Sequence, residues 1–430
     1  MRLALNKKPF IAQSLALSVA ALMMTTTHAA TKEQQELAQL RAEVAELKAL
    51  MQQQQQVQQQ QAVQIQQVKA QPAPVKAESP LSSFKSKSGA DINLYGFVRG
   101  DANYIIEGAN NDFNGVAKVG GTGKNDPASV KDKLLATAKT TRLGLDFNTN
   151  VAGDNKLGGK VEVDFAGSTT DSNGALRIRH AYLTYNSWLF GQTTSNFLSN
   201  HAPEMIDFAT NVGGGTNRLP QVRYGFNLAP ATKLFISAEE GDSSGKNIKY
   251  SVPNLTAKLT QGFADGKGSV SARALVENYK SADDSDTAWG LAAGVNYQVM
   301  DRLKISADVS YVDGNSNYLY GSNSAYEVNT SNDKIAQNEA FGVQVGGTYK
   351  FNEKLRSTLA YGALFADDGT DYARLNTAAN EEVYQAWINF IYSPVKPLDL
   401  GVEYINGKRD TFAGDSYKDN RVGLMAKYSF

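Results

Sequence analysis

From Arg421 to the C-terminus, Val422, Leu424, Ala426, Tyr428 and Phe430 alternate with Arg421, Gly423, Met425, Lys427 and Ser429. A period of two makes this a strand with one apolar and one polar face. A greasy outer face and a wet inner face, ending flush on an aromatic, suit a closed barrel in lipid. There every backbone group pairs with a neighbouring strand and none meets hydrocarbon unpaired.

The same alternation recurs upstream, in segments of about ten residues separated alternately by short turns and longer polar connections. It predicts strands over 91–104, 139–149, 157–166, 175–185, 187–193, 218–228, 231–240 and 255–263. It continues over 269–280, 286–298, 302–313, 339–351, 354–365, 382–393, 397–407 and 419–430, which makes sixteen. An even count puts both barrel termini at one end, so the ambiguous segment NIKYSVPN at 247–254 is assigned to a loop. In 139–149, Thr141, Leu143, Leu145 and Phe147 form the lipid face, and Thr140, Arg142, Gly144, Asp146 and Asn148 the wet one. Leu303, Ile305, Ala307, Val309 and Tyr311 separate in the same way from Arg302, Lys304, Ser306, Asp308 and Ser310. Trp289 and Tyr297 bracket Leu291, Ala293 and Val295 on one apolar face. Eight steps of roughly 3.3 Å, tilted, set those aromatics on the order of 20 Å apart along the membrane normal, close to the height of an apolar band. The fold class expected is all-β: a sixteen-stranded antiparallel transmembrane barrel over 91–430, with an aqueous lumen.

The segment before the barrel divides into three. Residues 1–29 read as a secretory signal: Arg2, Lys7 and Lys8 precede an apolar run from Leu15 to Met24, and Ala29 and Ala30 are small enough for cleavage. The chain has 43 basic and 43 acidic residues and no cysteine. Loss of the three signal cations moves the formal balance from 0 to −3. Nucleic acid is therefore not expected as a partner, nor is a disulfide framework. Residues 30–70 carry Leu37, Leu40, Val44, Leu47 and Met51 at heptad a and d positions, and Ile65 and Val68 return to that register after the glutamine run. Glu36 and Glu43 at g lie five residues before Arg41 and Lys48 at e, which predicts a parallel α-helical coiled coil that draws chains together. A glutamine-rich tether is the alternative. Residues 71–90, QPAPVKAESPLSSFKSKSGA, read as a linker.

The lumen charges are the candidate site. Arg142, Lys160, Arg177, Arg179, Arg223 and Arg273 all fall on polar faces, and Arg177 and Arg179 share one side of a strand. Guanidinium groups hold carboxylates or phosphates through paired hydrogen bonds. Asp101, Asp146, Glu162, Asp164 and Glu277 are inward acids. Two walls of opposite sign would make a transverse field. The long connection from Thr194 to Asn217 carries His201, Glu204, Asp207 and Gly213 to Gly215, and folding inward it would narrow the lumen with Glu204 and Asp207 facing the arginines. The bland alternatives are wall-bracing ion pairs and an ordinary surface loop.

A signal, a glutamine-rich heptad segment, a proline-rich tether, and RIRHAYLTYNSWLFGQTTSNF leading into PEMIDF resemble the DcaP-like outer-membrane porins of Gram-negative bacteria. The resemblance covers the whole chain. It implies a homotrimeric outer-membrane channel with a periplasmic coiled-coil extension, passing small anionic solutes, dicarboxylates in particular. It leaves peptidoglycan or another periplasmic partner as a candidate contact of the coil. A cation-preferring or non-selective porin is the alternative.

Other classes of function are weaker. His180 and His201 are the two histidines beyond the signal, and no serine or acid beside either forms a nucleophile motif, so an enzyme is not expected and no cofactor is implied. His201 would tune the constriction with pH. Asp283, Asp284 and Asp286 lack the ligand spacing of a calcium loop, so no metal is expected. The tyrosine- and asparagine-rich stretch from Asn315 to Asn338 keeps an adhesive or structural barrel open as the third reading.

Overall fold

The computed structural model describes residues 83–120, 129–167, 174–199, 201–215, 217–242, 248–249 and 252–430. The expected signal peptide, the expected coiled coil and the expected linker as far as residue 82 lie outside the described residues.

The first strands are β1 (Ser83–Lys85), β2 (Asp91–Gly108), β3 (Val130–Thr137), β4 (Arg142–Val151) and β5 (Asn155–Gly167). Then come β6 (Ala175–Tyr185), β7 (Trp188–Thr194), β8 (Arg218–Ala229), β9 (Thr232–Glu239) and β10 (Asn254–Phe263). β11 (Gly268–Lys280), β12 (Ser285–Met300), β13 (Leu303–Asp313), β14 (Tyr326–Val328) and β15 (Ile335–Gln337) follow. The last are β16 (Glu339–Lys350), β17 (Leu355–Ala366), β18 (Asn380–Val395), β19 (Leu398–Thr411) and β20 (Ser416–Ser429). All except β14 and β15, which form a hairpin inside one connection, belong to a single sheet of eighteen strands. β1 is a short addition beside the start of β2, and β3 and β4 are two halves of one strand, so sixteen strands make the barrel. β20 pairs with β2 from Phe97↔Ser429 to Glu107↔Asn420, and Gly96 and Phe430 exchange both backbone bonds at 3.0 and 3.1 Å. The chain's last residue thus completes the ring, as its alternation implied.

The alternation predicts one strand from 139 with 130–138 as loop, whereas the structure has a strand broken into β3 and β4. β3 pairs with the far half of β2 and β4 with the near half. Between them Thr140 Oγ1 donates to Asp101 Oδ2 at 2.8 Å, and the Arg99 N–H donates to Thr141 Oγ1 at 3.1 Å. Short hydroxyl side chains that bond locally compete with the ladder. The last residues of the expected linker also pair: Ser83 to Lys85 lie opposite Asn93 to Asp91.

The connections alternate between short turns, such as 186–187, 230–231 and 301–302, and long segments at the other end. Outward-facing side chains follow the predicted faces: Leu143, Leu291, Leu424 and Tyr428 are exposed, and so are Trp289 and Tyr297. Trp289 packs on Tyr311 at 5.3 Å and Tyr297 stacks on Phe263 at 5.6 Å, one pair toward each end of the strand. Leu143 and Arg142 therefore make a test of the faces. Leu143→Arg should cost about 2–4 kcal/mol, the cost of an arginine facing mid-bilayer lipid, and depress the yield of heat-resistant barrel on a gel. Arg142→Ala should assemble as the parent does. Equal yields would overturn the register of β4.

The described parts of three long connections, 109–120, 195–215 and 314–338, send apolar side chains into the lumen. Val116, Phe197, Val212, Tyr318 and Leu319 pack with Leu275, Leu364 and Val383 of the wall in one buried cluster. This plug fills the side of the lumen bounded by β11 to β18.

Candidate functional site

The connection 195–217 crosses the lumen and is tied to the wall along its length. The Arg273 guanidinium donates to the Phe197 carbonyl at 3.1 Å, Lys258 Nζ to the Leu198 carbonyl at 3.0 Å, and Ser199 Oγ to Asp308 Oδ2 at 2.6 Å. Further along, the Ile206 and Asp207 N–H groups donate to the two oxygens of Glu403 at 2.8 Å. Trp387 Nε1 and Asn389 Nδ2 both donate to the Glu204 carbonyl at 3.1 Å. Gly213 has φ of +74°, and a Cβ there would sit 2.6 Å from the Val343 carbonyl; one on Gly342 would sit 2.6 Å from the Gly213 carbonyl. Those glycines let the loop lie against the strands, a closeness no larger residue permits.

The loop carboxylates do not face the arginines the sequence reading set against them. Glu204 takes a two-point bond from Arg356 of β17, at 2.9–3.1 Å. Asp207 is 2% exposed and accepts from the Asn114 N–H at 2.7 Å and the Ala209 N–H at 2.8 Å. Burial pushes its carboxyl up to about 6, against the pull of Arg421. The unsatisfied amides of the bent loop claim these oxygens, since a buried N–H without a partner is costly. His201 is 3% exposed, with Nε2 3.1 Å from Ser271 Oγ. Burial, with Arg273, Lys258 and Lys304 nearby, pushes it down to about 4, so it is neutral near pH 7 and adds no charge to the constriction.

The acids expected to form an opposing wall lie elsewhere. Asp101 pairs with Arg99 at 2.6 Å, and Lys160 with Asp146 at 3.1 Å. Glu277 is buried with Tyr279 and Asn315. Glu162 and Asp164 stand on the arginine wall itself: Arg177 meets Asp164 at 2.7 Å, and Arg179 bridges Glu162 at 2.9 Å and Asp164 at 2.8 Å. Arg142 lies 3.4 Å from Glu162. A transverse field between two walls is therefore not built. Opposite charges on neighbouring strands pair directly, because the closest partner wins in a solvated wall.

Of the predicted cations, Arg142, Arg177 and Arg179 come together around one cavity of about 550 Å³. Lys160 lies beside them, with Nζ 4.6 Å from the Tyr95 ring centre. Arg223 is held back against the wall by Gln221 and the Thr194 carbonyl. Arg273 is 0% exposed with Asp308 at 2.6 Å, so it braces the loop and does not line the path. His180 is held in the wall, Nδ1 2.9 Å from Thr193 Oγ1.

Arg218, which strand alternation does not place in the lumen, joins the cluster. Alternation from Val222 and Tyr224 puts it on the lipid face, yet it lines the same cavity within electrostatic reach of Arg142, Arg177 and Arg179. Its side chain makes no hydrogen bond or ion pair among the described residues, and its Nε is buried without a partner. Its place at the first residue of β8 is the signal that could have found it, because strand ends escape strict alternation. Across the cavity the loop presents Leu198, Ser199, Ala202, Met205 and Phe208, all uncharged. Among the described residues no cluster of three metal-ligating side chains occurs; Asp284 is used by the Ser285 and Ile335 N–H groups.

A closed antiparallel barrel of sixteen strands, with an apolar outside, an inward loop and a charged lumen left partly open, is an outer-membrane channel. The family described as DcaP outer membrane protein matches residues 23–430, and the chain belongs to that family. The outer membrane channel DcaP of Acinetobacter baumannii is 70% identical, with a TM-score of 0.76 over 81% of this chain and 100% of that one. The Salmonella typhi OmpF structure shares the fold at 15% identity and TM-score 0.55, over 81% of this chain and 100% of that one. The anion-selective porin of Comamonas acidovorans shares it at 11% identity and TM-score 0.53, over 79% of this chain and 100% of that one. No curated protein matches the chain.

Proposed function

We propose that this barrel passes small anionic solutes by diffusion, dicarboxylates among them, as a homotrimer in which each subunit keeps its own lumen. The observation that carries the reading is the composition of the open side of the lumen. Among the described residues, four guanidinium groups, of Arg142, Arg177, Arg179 and Arg218, stand against two carboxylates, of Glu162 and Asp164. The facing loop adds no negative charge, since Glu204 and Asp207 are turned into the wall and the loop base. A low-dielectric channel lined by an excess of one sign concentrates the opposite ion. Several guanidiniums along one wall suit a solute with a carboxylate at each end. The heptad segment 30–70 would hold three chains in parallel beneath the membrane, on the periplasmic side, with the cell wall within reach.

The test is the zero-current potential of the purified full-length protein in a planar bilayer under a KCl gradient. The expected sign is that of chloride preference, with dicarboxylates reducing the chloride current as they compete for the wall. Cation preference would overturn the reading in favour of a general porin. A protein that inserts without conducting would move it to an adhesive or structural barrel.

A further inference from the structure

The long-connection mouth of the lumen holds a second chamber, of about 820 Å³, lined by residues of 111–118, 320–324 and the connection 367–379. Four residues line both it and the arginine cavity: Phe113, Ala166, Ala209 and Tyr320. The two spaces are thus in series, and two aromatic side chains from different connections stand where they meet. We infer that this outer chamber is a separate capture site for small organic carboxylates, and that Phe113 and Tyr320 form the neck a solute must pass to reach the arginine wall.

The chemistry of the lining selects that class of solute. Its cations are Lys118 and Arg409. Among the described residues its one carboxylate, Asp112, is paired with Lys139 at 3.0 Å. The Arg409 Nη atoms donate to the Val119 and Ala378 carbonyls at 2.8 and 2.7 Å, which fixes the guanidinium between two connections while its Nε has no partner. Asn114 is 7% exposed; its Oδ1 accepts from the Val116 N–H and from Gln385, and its Nδ2 amide is left without a partner. Unused buried donors and one guanidinium held in place on the same lining are what a carboxylate would satisfy, and leaving such donors unmet costs stability. Phe113, Ala117 and Tyr320, each partly exposed, supply apolar surface for the body of the solute. The volume lies in the range of small-molecule sites, which pair such surface with a few placed polar groups. Of the stretch from Asn315 to Asn338, which could be read as an adhesive loop, the first part is turned inward, while Thr330, Ser331, Asn332 and Lys334 stay exposed. It gives Tyr318 and Leu319 to the plug, Tyr320 to the neck and Ser322 to the chamber.

This inference rests on the anion-channel reading, and the experiment separates the two. Succinate is added to the long-connection side of the full-length protein in a bilayer, and the concentration for half-maximal current interruption is measured. The double variant Lys118→Gln/Arg409→Gln should raise that concentration at least fivefold, while the KCl zero-current potential keeps the sign of anion preference. Phe113→Ala, which leaves both cations in place, should speed succinate arrival from that side several-fold with little change in dwell time at the wall. Unchanged half-saturation in the double variant, or unchanged arrival in Phe113→Ala, with anion preference retained, would overturn the chamber and leave the channel reading standing. Cation preference in the parent protein would remove both.

Discussion

Replacing Arg177, Arg179 and Arg218 together by glutamine should reverse the sign of the zero-current potential. The triple variant leaves Arg142 as the sole guanidinium of the group facing Glu162 and Asp164, so the open wall changes from an excess of positive to an excess of negative charge. Focusing of the field in a narrow water-filled path makes that exchange worth roughly tenfold or more in the relative flux of the two ions. Arg218→Gln alone should weaken anion preference without reversing it, because the three other guanidiniums remain beside their carboxylates. The effect should be greatest at low salt and shrink toward 1 M, where the screening length falls to about 3 Å. A triple variant that conducts with the parent's selectivity would place the controlling charges elsewhere in the lumen.

Removing Asp308 should strongly destabilise the barrel interior. Its Oδ2 accepts from Arg273 Nη2 at 2.6 Å and from Ser199 Oγ at 2.6 Å, and neither charged side chain is exposed. Asp308→Ala leaves the Arg273 guanidinium buried without a counter-charge, which costs about 3–5 kcal/mol. It also frees the start of the inward loop, since Arg273 holds the Phe197 carbonyl. Two results are expected: a lower temperature for loss of the folded barrel, and a larger, noisier single-channel conductance as the loop leaves the lumen. Replacing both partners with apolar residues, Arg273→Met with Asp308→Leu, should recover most of the stability, because no charge is then stranded. If Asp308→Ala melts with the parent, solvent reaches the pair and the plug is looser than its packing implies.

The barrel itself was legible in the sequence for a local reason. Each strand residue faces either lipid or the interior, so alternation such as Leu143/Leu145/Phe147 against Arg142/Asp146 records its surroundings directly. Strand boundaries near Thr140 were less legible, because whether a threonine pairs in a ladder or bonds to Asp101 depends on a residue about forty positions away. Arg142, Arg177 and Arg179 were found by face alone. Arg218 was not, since it sits at a strand end where face ceases to predict direction. The identity of the loop that enters the lumen could be read from its length and its glycines, but not the direction of its acids.

By itself, then, the sequence determined the closed sixteen-stranded wall, its lipid face, and the inward side of most charges, because those follow from the solvent on each side of a pleated strand. The tertiary structure alone decided which inward charges meet the path. Three connections fill one side of the lumen, bury Arg273 and Glu277 there, and draw Glu204 and Asp207 away to satisfy Arg356 and loop amides. What stays open is the wall of β4 to β8 with its unpaired Arg218, an outcome of long-range packing that no local period encodes.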